Sequence, residues 1–258
     1  MKKYLKKIVS TDKINEWLKK SKYKLEITHP FLNKYPEFKM PMRFFYIFSH
    51  VILFEKKDFF FIQVGAMDGQ LADPLHNFIK TFDLNGIVIE PIPHNYEKLC
   101  KFYSGFDGIK TLNVALHSTE KTAPIYMVDP KADYPYLIQA ASSLDKNHVM
   151  CDIDKINGSY DDIISVDVKC NDLKEIVEAN NVKKIDLLQI DAEGYDFEIV
   201  KMIDFDKMKP TIIRYENERI TVKESRECLE LLASHGYLIN YGYDTTAYLK
   251  SHMEKTCF

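Results

Sequence analysis

Short, uninterrupted runs of apolar residues recur from residue 59 onwards, and segments with apolar residues at helical spacing separate them. Runs of this kind are typical of strands buried on both faces of a parallel sheet. Strands are predicted over 59–64, 86–90, 109–116, 123–128, 165–170, 185–191 and 211–216. Helices are predicted over 95–102, 172–178, 197–203 and 224–234, and a hairpin over 237–249. The alternation predicts an α/β fold, with a mostly parallel sheet, helices on both faces and right-handed crossovers.

The first strand ends in a Gly-x-x-x-Gly turn, from Gly65 to Gly69. Glycine takes backbone angles that other residues refuse and lets the chain approach a ligand closely. A helix is expected directly afterwards, because Asp73 is a good N-cap and Pro74 is favoured at the first helical position. Strand, glycine turn and helix together form the first unit of a nucleotide-binding α/β domain, whose ligand lies at the carboxyl end of the strand.

Glu90 ends the second predicted strand, which Pro91 and Pro93 stop at once. It follows the glycine turn by about 20 residues, the spacing at which such folds place a carboxylate on the ribose hydroxyls of a nucleotide. A carboxylate can accept hydrogen bonds from two neighbouring hydroxyls. Glu90 is therefore the predicted ribose ligand.

Composition gives the picture of an ordinary soluble globular protein, with 258 residues, 46% hydrophobic and 28% charged. The net charge of −3 gives no reason to expect a nucleic-acid partner. The five cysteines form no Cys-x-x-Cys pair, so neither a zinc site nor a disulfide framework is predicted. The apolar stretch 44–54 is too short for a transmembrane segment. We interpret it as a buried helix and expect a cytoplasmic protein.

Two segments depart from the strand–helix alternation. Residues 1–58 are predicted to be a helical N-terminal extension, and the nucleotide-binding domain is predicted to span 59–258. Within that domain, residues 129–160 are expected to be irregular, because they contain prolines and many polar residues. Loops this long inside a compact domain are uncommon and often functional. We expect this segment to act as a lid that helps to select the second substrate.

Acidic residues collect at the ends of two later strands. One strand ends in Asp191, with Glu193 and Asp196 following, and the next ends in Glu216, with Asn217 following. All of them are predicted at the carboxyl edge of the sheet, where a ligand crevice forms. Such carboxylates can serve as a general base, as metal ligands or as acceptors for a cationic ligand. For Glu193 and Asp196, helix capping is an equally good interpretation.

Four segments in order carry a resemblance to a known family: residues 61–69, 89–93, 113–116 and 186–196. Together they resemble the successive motifs of the FkbM family of S-adenosylmethionine-dependent methyltransferases, over about residues 59 to 216. The resemblance implies a Rossmann-like class I methyltransferase sheet with an antiparallel C-terminal strand. It also implies S-adenosylmethionine as cofactor and O-methylation, commonly of a sugar or polyketide hydroxyl.

The same resemblance assigns cofactor contacts residue by residue. Glu90 would hold the ribose, and the remaining contacts would come from the turn and from the third strand: Gly65, Ala66 and Gly69 along the methionine part with Asp68 nearby, and Asn113 and Ala115 beside the adenine. One position departs from the family pattern. Many methyltransferases of this class have an acid where this chain has Gln63. Its amide oxygen can still accept from the cofactor's ammonium group, but without a charge.

For the chemical step, the resemblance places Asp191 and Glu193 beside the reacting methyl group. His148, within the segment 129–160, is a further candidate for the base. A divalent metal could instead activate the acceptor hydroxyl, as Lewis acids do. Its ligands would then be Asp191, Glu216 and Asn217, and the sequence leaves base and metal both open.

The expected second substrate is a small-molecule hydroxyl acceptor, such as a glycan precursor or a nucleotide-linked sugar. Two other function classes share the strand, turn and acid. A nicotinamide-dependent oxidoreductase would normally show Gly-x-Gly-x-x-Gly, and the turn from Gly65 to Gly69 lacks the middle glycine. A non-catalytic cofactor-binding module on the same fold is the other alternative.

Overall fold

The computed structural model describes residues 58–70, 73 and 75–252. The predicted N-terminal extension lies outside these residues except for Asp58, and Pro74 also lies outside them. No helix within the described ranges is both long and apolar enough to cross a membrane.

The strands of the main sheet and the helices between them follow the predicted order. The strands are β1 (Phe60–Val64), β2 (Asn85–Ile89), β3 (Ile109–Leu112), β4 (Ala115–Leu116), β5 (Thr122–Val128), β6 (Ser142–Ser143), β7 (Ile163–Asn171), β8 (Leu187–Ile190), β9 (Ile212–Glu216), β10 (Tyr237–Asn240) and β11 (Asp244–Leu249). The helices are α1 (His76–Phe82), α2 (Pro93–Tyr103), α3 (Tyr136–Ala140), α4 (Lys146–Asp154), α5 (Leu173–Ala179), α6 (Asp196–Lys201) and α7 (Val222–Ser234). A 3-10 turn covers Tyr160–Asp162.

The main sheet has seven strands in the order β10-β11-β9-β8-β1-β2-β3. Strands β1, β2, β3, β8 and β9 are parallel to one another, and β11 runs antiparallel to both β9 and β10. The central strands are apolar because both of their faces are covered: Phe61, Ile62, Leu187 and Leu188 are each 0% exposed. The predicted α/β fold, with a mostly parallel sheet and an antiparallel C-terminal strand, is confirmed.

A second, four-stranded sheet has the order β4-β7-β5-β6. The single strand predicted over 109–116 is wrong, since β3 belongs to the main sheet and β4 to this one. The chain changes sheets at Asn113. Its side-chain Nδ2 donates to the carbonyl oxygens of Glu90 and Pro91, at 2.8 and 2.9 Å, and these bonds hold the crossing point.

The segment 129–160 is not irregular, so that prediction is also wrong. It contains α3, β6 and α4, and the Asp145 side chain caps α4 by accepting from the backbone N–H of Asn147 at 2.9 Å. Val149 and Ile153 of α4 are buried against Val128 of β5. Local packing onto the second sheet therefore gives this segment regular structure despite its polar composition.

Helix α1 begins later than predicted. Its first residue is His76, and Leu75 occupies the capping position without a side-chain cap. Asp73 does accept a hydrogen bond from the backbone N–H of Leu75, at 2.7 Å, but it lies in the turn before the helix. Phe78, Ile79 and Phe82 form the buried face of this helix.

Candidate active site

The turn after β1 lies against the ends of both neighbouring strands. The backbone N–H groups of Gly65 and Ala66 both donate to the carbonyl oxygen of Ile89, at 3.0 Å each. Gly65 has φ +75°, and a Cβ on it would stand 1.8 Å from the carbonyl oxygen of Asp191. No side chain fits there, so glycine is required for the close approach of β1 and β8 at this edge.

Gly69 serves a different contact. It has φ +78°, and a Cβ on it would stand 2.9 Å from side-chain carbons of both Leu99 and Phe102 on α2. It therefore allows the turn to pack on α2, and it is not among the residues that line the cleft described next. Asp68, also expected near the cofactor, does not line that cleft, and its Oδ1 accepts from the N–H of Gln70 at 2.9 Å.

A cleft with two adjoining chambers lies along the carboxyl edge of the main sheet. Both chambers are lined by Gly65, Glu90, Ser142, Asp191 and Glu193. The one we call the apolar chamber, about 510 Å³, is completed mainly by aliphatic residues, among them Val114, Ala115, Leu144 and Ile199. The one we call the polar chamber, about 870 Å³, is completed mainly by polar ones, among them Gln63, Asp73, Asn95, Tyr136 and Gln189. Among the described residues that line either chamber there is no lysine or arginine.

Glu90 lies where the two chambers meet and is 4% exposed. Its Oε2 accepts from the N–H of Met67 and its Oε1 from the N–H of Ile92, each at 2.9 Å. The Asn95 side chain also donates to this carboxylate. A carboxylate offers about four acceptor positions, so some capacity for a ligand hydroxyl remains. Burial raises the pKa of Glu90 to about 7, although the two amides act in the opposite direction. Of the residues expected beside the adenine, Ala115 lines the apolar chamber, whereas Asn113 holds the chain crossing.

Two buried amide oxygens face the polar chamber without a partner. Gln63 and Gln189 are paired in register on β1 and β8 and are 4% and 3% exposed. Among the described residues, neither Oε1 atom has a hydrogen-bond partner. A buried, unsatisfied polar group costs about 1–3 kcal/mol. A ligand that brings N–H donors into this chamber would satisfy both, so the site fits a cofactor with such donors.

Asp191 directly follows β8, where its backbone N–H donates to the carbonyl oxygen of Val64 at 3.1 Å. Its side chain is exposed to the water of the cleft, yet the cleft walls surround it closely. This partial burial raises the pKa of Asp191, and Asp244 acts in the same direction. The backbone of Asp191 is thus held by the core, and the residue lines both chambers.

Glu193 lies in the turn after Asp191 with an unusual backbone angle, φ +50°. Its Oε2 pairs with Arg219 Nε at 2.5 Å, and Arg219 also binds Asp152 of α4 at 2.8 Å. Burial raises the pKa of Glu193 to about 8 in spite of this arginine. The Glu193 carboxylate is already engaged by Arg219.

His148 fixes this turn from α4. Its Nδ1 lies 3.0 Å from the carbonyl oxygen of Glu193, which also accepts from Ser143 Oγ at 2.8 Å. Because a carbonyl oxygen only accepts, Nδ1 must carry the proton in this arrangement. His148 does not line either chamber. The structure thus brings it beside Glu193 as a positioning contact.

Asp196 holds the same turn from the other side, and it is 1% exposed. Its Oδ2 accepts from the N–H groups of Ala192 and Gly194, both at 3.3 Å. Its Oδ1 accepts from the N–H of Glu216 at 3.1 Å. All of these donors are backbone groups, so Asp196 ties the end of β8 to the end of β9.

Of the three residues considered as metal ligands, Asn217 has both side-chain polar atoms in hydrogen bonds within the chain. Its Nδ2 donates to Tyr241 at 2.9 Å, and its Oδ1 accepts from Ser225 at 2.9 Å. Burial raises the pKa of Glu216 to about 7. Within the part of the chain that the structure describes, no group of three or more His, Cys, Asp or Glu residues is arranged to hold a metal ion.

Sequence reasoning missed several residues of the site. Gln189 could have been found, because it is a polar residue inside an otherwise apolar strand. Asp73 was interpreted as a helix cap, and the structure places it in the polar chamber. Arg219 gave no local signal, since its contact with Asp152 spans 67 positions of the chain.

A comparison with protein families identifies the family of this chain. The family model for the methyltransferase FkbM domain matches residues 63–243, which is more than half of the chain. A search of curated proteins finds no match.

Solved structures give only distant likenesses. A precorrin-6y C5,15-methyltransferase from Geobacter metallireducens GS-15 is 11% identical, with a TM-score of 0.40 over 83% of this chain and 95% of its own. The methyltransferase FkbM from Methylobacillus flagellatus KT is 12% identical, with a TM-score of 0.42 over 74% of this chain and 43% of its own. These values are too low to support an argument, and the assignment rests on the family model. The chain belongs to the FkbM family of methyltransferases, for which S-adenosylmethionine is the methyl donor.

Proposed function

We propose that this methyltransferase acts on oxygen, and that its acceptor is a sugar hydroxyl. The observation that carries the proposal is the position of Asp191 at the junction of the two chambers, beside Glu90. Asp191 borders both chambers, so it can contact an acceptor. Glu90, the residue predicted to bind the ribose of the cofactor, lines the same two chambers.

Different residues of the chain would contact different parts of the cofactor. Glu90 would bind the ribose hydroxyls with its remaining acceptor positions, and Gly65 would let the cofactor lie close to the backbone. Ala115 would border the adenine in the apolar chamber. When bound, S-adenosylmethionine supplies a methyl group made electrophilic by its sulfonium.

Asp191 would take the proton from the acceptor hydroxyl. A positioned base contributes about 10²–10⁴ in rate. Asp191 is the better candidate than Glu193, because the Glu193 carboxylate is already ion-paired with Arg219. It is also better placed than His148, which does not line the cleft. Glu193 and His148 would instead shape the turn that follows Asp191.

The cleft supports an acceptor that presents neutral hydroxyls. Tyr136 and Ser142, from the segment predicted to select the acceptor, line the polar chamber. The absence of lysine and arginine among the described lining residues gives a phosphate no partner within the chambers. In a nucleotide-linked sugar, the phosphates would therefore lie outside the cleft while the sugar enters it.

We also propose a cytoplasmic location. Cys100, Cys151, Cys170 and Cys228 are free thiols in the described part of the chain, and free thiols are usual in a reducing compartment.

A methyl-transfer assay with Asp191→Asn tests the chemistry. Purified protein is incubated with S-adenosylmethionine and a panel of sugars, nucleotide-linked sugars and amines, and products are identified by mass spectrometry. On a sugar that the wild type methylates, Asp191→Asn should lower kcat by about 10²–10⁴, because the base is lost. Affinity for S-adenosylhomocysteine should change little.

Asp206→Asn is the matched control, since Asp206 is exposed and does not line the cleft. Wild-type turnover by Asp191→Asn would refute the role of Asp191 as base. Methylation of amines but of no hydroxyl would refute O-methylation.

A further inference from the structure

Asp73 is a carboxylate in the polar chamber that neutral groups hold in place. Its Oδ1 accepts from the N–H of Leu75 at 2.7 Å and from Gln63 Nε2 at 3.2 Å. Its Oδ2 accepts a long hydrogen bond from the Tyr103 hydroxyl at 3.4 Å, and the backbone N–H of His76 also acts on this carboxylate. All four donors are uncharged groups.

No cation of the described chain balances this carboxylate. The groups that act on Asp73 are burial and hydrogen bonds from uncharged donors, and no lysine or arginine in the described residues is among them. Burial raises the pKa of Asp73 to about 6, against the effect of these donors. A partly buried carboxylate without a cation is costly, and a cationic ligand would relieve that cost.

Two further acceptors lie in the same chamber. The hydrogen bond from Gln63 Nε2 to Asp73 fixes the orientation of the Gln63 amide, so that its Oε1 is the free atom. Gln189, the register partner of Gln63, has a free Oε1 as well. The polar chamber therefore contains the carboxylate of Asp73 and two amide oxygens, and the two amide oxygens have no donor in the described chain.

We propose that Asp73, Gln63 and Gln189 bind the ammonium group of the methionine part of S-adenosylmethionine, with Asp73 supplying the negative charge that Gln63 lacks. The inference rests on the proposed function only in requiring that this cleft holds the cofactor. An ammonium group has three donors and no acceptor, and the chamber offers it two amide oxygens without donors and one carboxylate. Many methyltransferases of this class carry the acid on β1, at the position of Gln63. In this chain the negative charge would come instead from Asp73, in the turn that precedes α1.

Calorimetric titration with two ligands tests the inference. S-adenosylhomocysteine carries the ammonium group, whereas 5′-methylthioadenosine keeps the adenosine and lacks the amino-acid part. Asp73→Asn should weaken S-adenosylhomocysteine binding about 10- to 100-fold, because a charge-assisted hydrogen bond is lost. The affinity for 5′-methylthioadenosine should change less than about twofold.

A transposed variant, Gln63→Glu together with Asp73→Asn, separates charge from structure. It keeps a hydrogen bond between the two side chains and moves the carboxylate to position 63. It should restore much of the affinity for S-adenosylhomocysteine that Asp73→Asn alone loses. Asp83→Asn is the matched control, since Asp83 is exposed at the opposite end of α1 and should bind both ligands like the wild type.

Several results would overturn the inference. Equal weakening of both ligands by Asp73→Asn would assign Asp73 a structural role only. Unchanged S-adenosylhomocysteine binding, or a transposed variant as weak as Asp73→Asn, would show that the charge does not matter. If Asp73→Asn does not fold, Gln189→Leu carries the test, with selective weakening of S-adenosylhomocysteine expected. A wild type that binds neither ligand would instead refute cofactor binding itself.

Discussion

Replacing Glu90 with glutamine should make the stability of the cofactor-free protein less dependent on pH. Glu90 is 4% exposed, and burial raises its pKa from 4.5 to about 7. Below pH 4.5 the carboxyl is protonated in the folded and the unfolded chain alike. As the pH rises towards 7, the unfolded chain releases the proton while the folded protein keeps it, so the free energy of unfolding falls. The shift corresponds to about 3 kcal/mol.

Glu90→Gln removes this titration and adds a cost that does not depend on pH. The two carboxylate oxygens of Glu90 accept from the N–H groups of Met67 and Ile92. In glutamine one of these oxygens becomes an NH2 group, which cannot accept, so one of the two backbone N–H groups loses its partner. That loss is worth about 1–3 kcal/mol. The wild type should therefore be the more stable protein near pH 5, and its advantage should shrink by about 2–3 kcal/mol by pH 8.

Urea denaturation followed by far-ultraviolet circular dichroism measures this difference at several pH values. The other buried acids of the cleft titrate in both proteins, so their effect largely cancels. Glu97→Gln, an exposed change on α2, is the control and should show no such trend. A stability gap that stays constant from pH 5 to pH 8 would contradict the reasoning, because Glu90 would then titrate alike in both states.

Two further changes test how the cleft is built. Gly65→Ala should abolish S-adenosylhomocysteine binding in calorimetry and lower the melting temperature, because the new Cβ would stand 1.8 Å from the carbonyl oxygen of Asp191. Gly105→Ala, where a Cβ would meet no atom within 4 Å, should do neither, and equal behaviour of the two variants would refute the claim. Asp196→Asn should lower the free energy of unfolding in urea by about 1–3 kcal/mol, because its carboxylate accepts from three backbone N–H groups, and a loss no larger than that of Asp206→Asn would count against this role.

The strands of the main sheet could be predicted because burial on both faces leaves a local mark. Phe61 and Leu188 belong to apolar runs that only a covered strand tolerates in water. The position of Glu90 followed from the same pattern, since a strand end and a turn of known spacing locate one side chain. Gln189 could have been predicted as a site residue in the same way, because a polar residue in such a strand marks a position that faces a ligand or a partner.

Contacts between residues far apart in the sequence leave no local sequence pattern, so they could not be predicted. The pairing of Glu193 with Arg219 and the contact of His148 with the Glu193 carbonyl depend on how the second sheet and α4 pack against the main sheet. The order within 129–160 arises from that packing too, and its polar composition indicated a loop. Asp73 was assigned to a helix cap because capping and ligand binding favour the same residue type.

A crystal structure of the protein with S-adenosylhomocysteine is the most direct test of the account. We expect the ribose hydroxyls within about 2.5–3.0 Å of the Glu90 carboxylate, the adenine beside Ala115 and the amino-acid part in the polar chamber. The sulfur atom should face the side of the cleft that holds Asp191. A ligand whose ribose lies on residues other than Glu90, or whose adenosine lies outside the two chambers, would contradict the site described above.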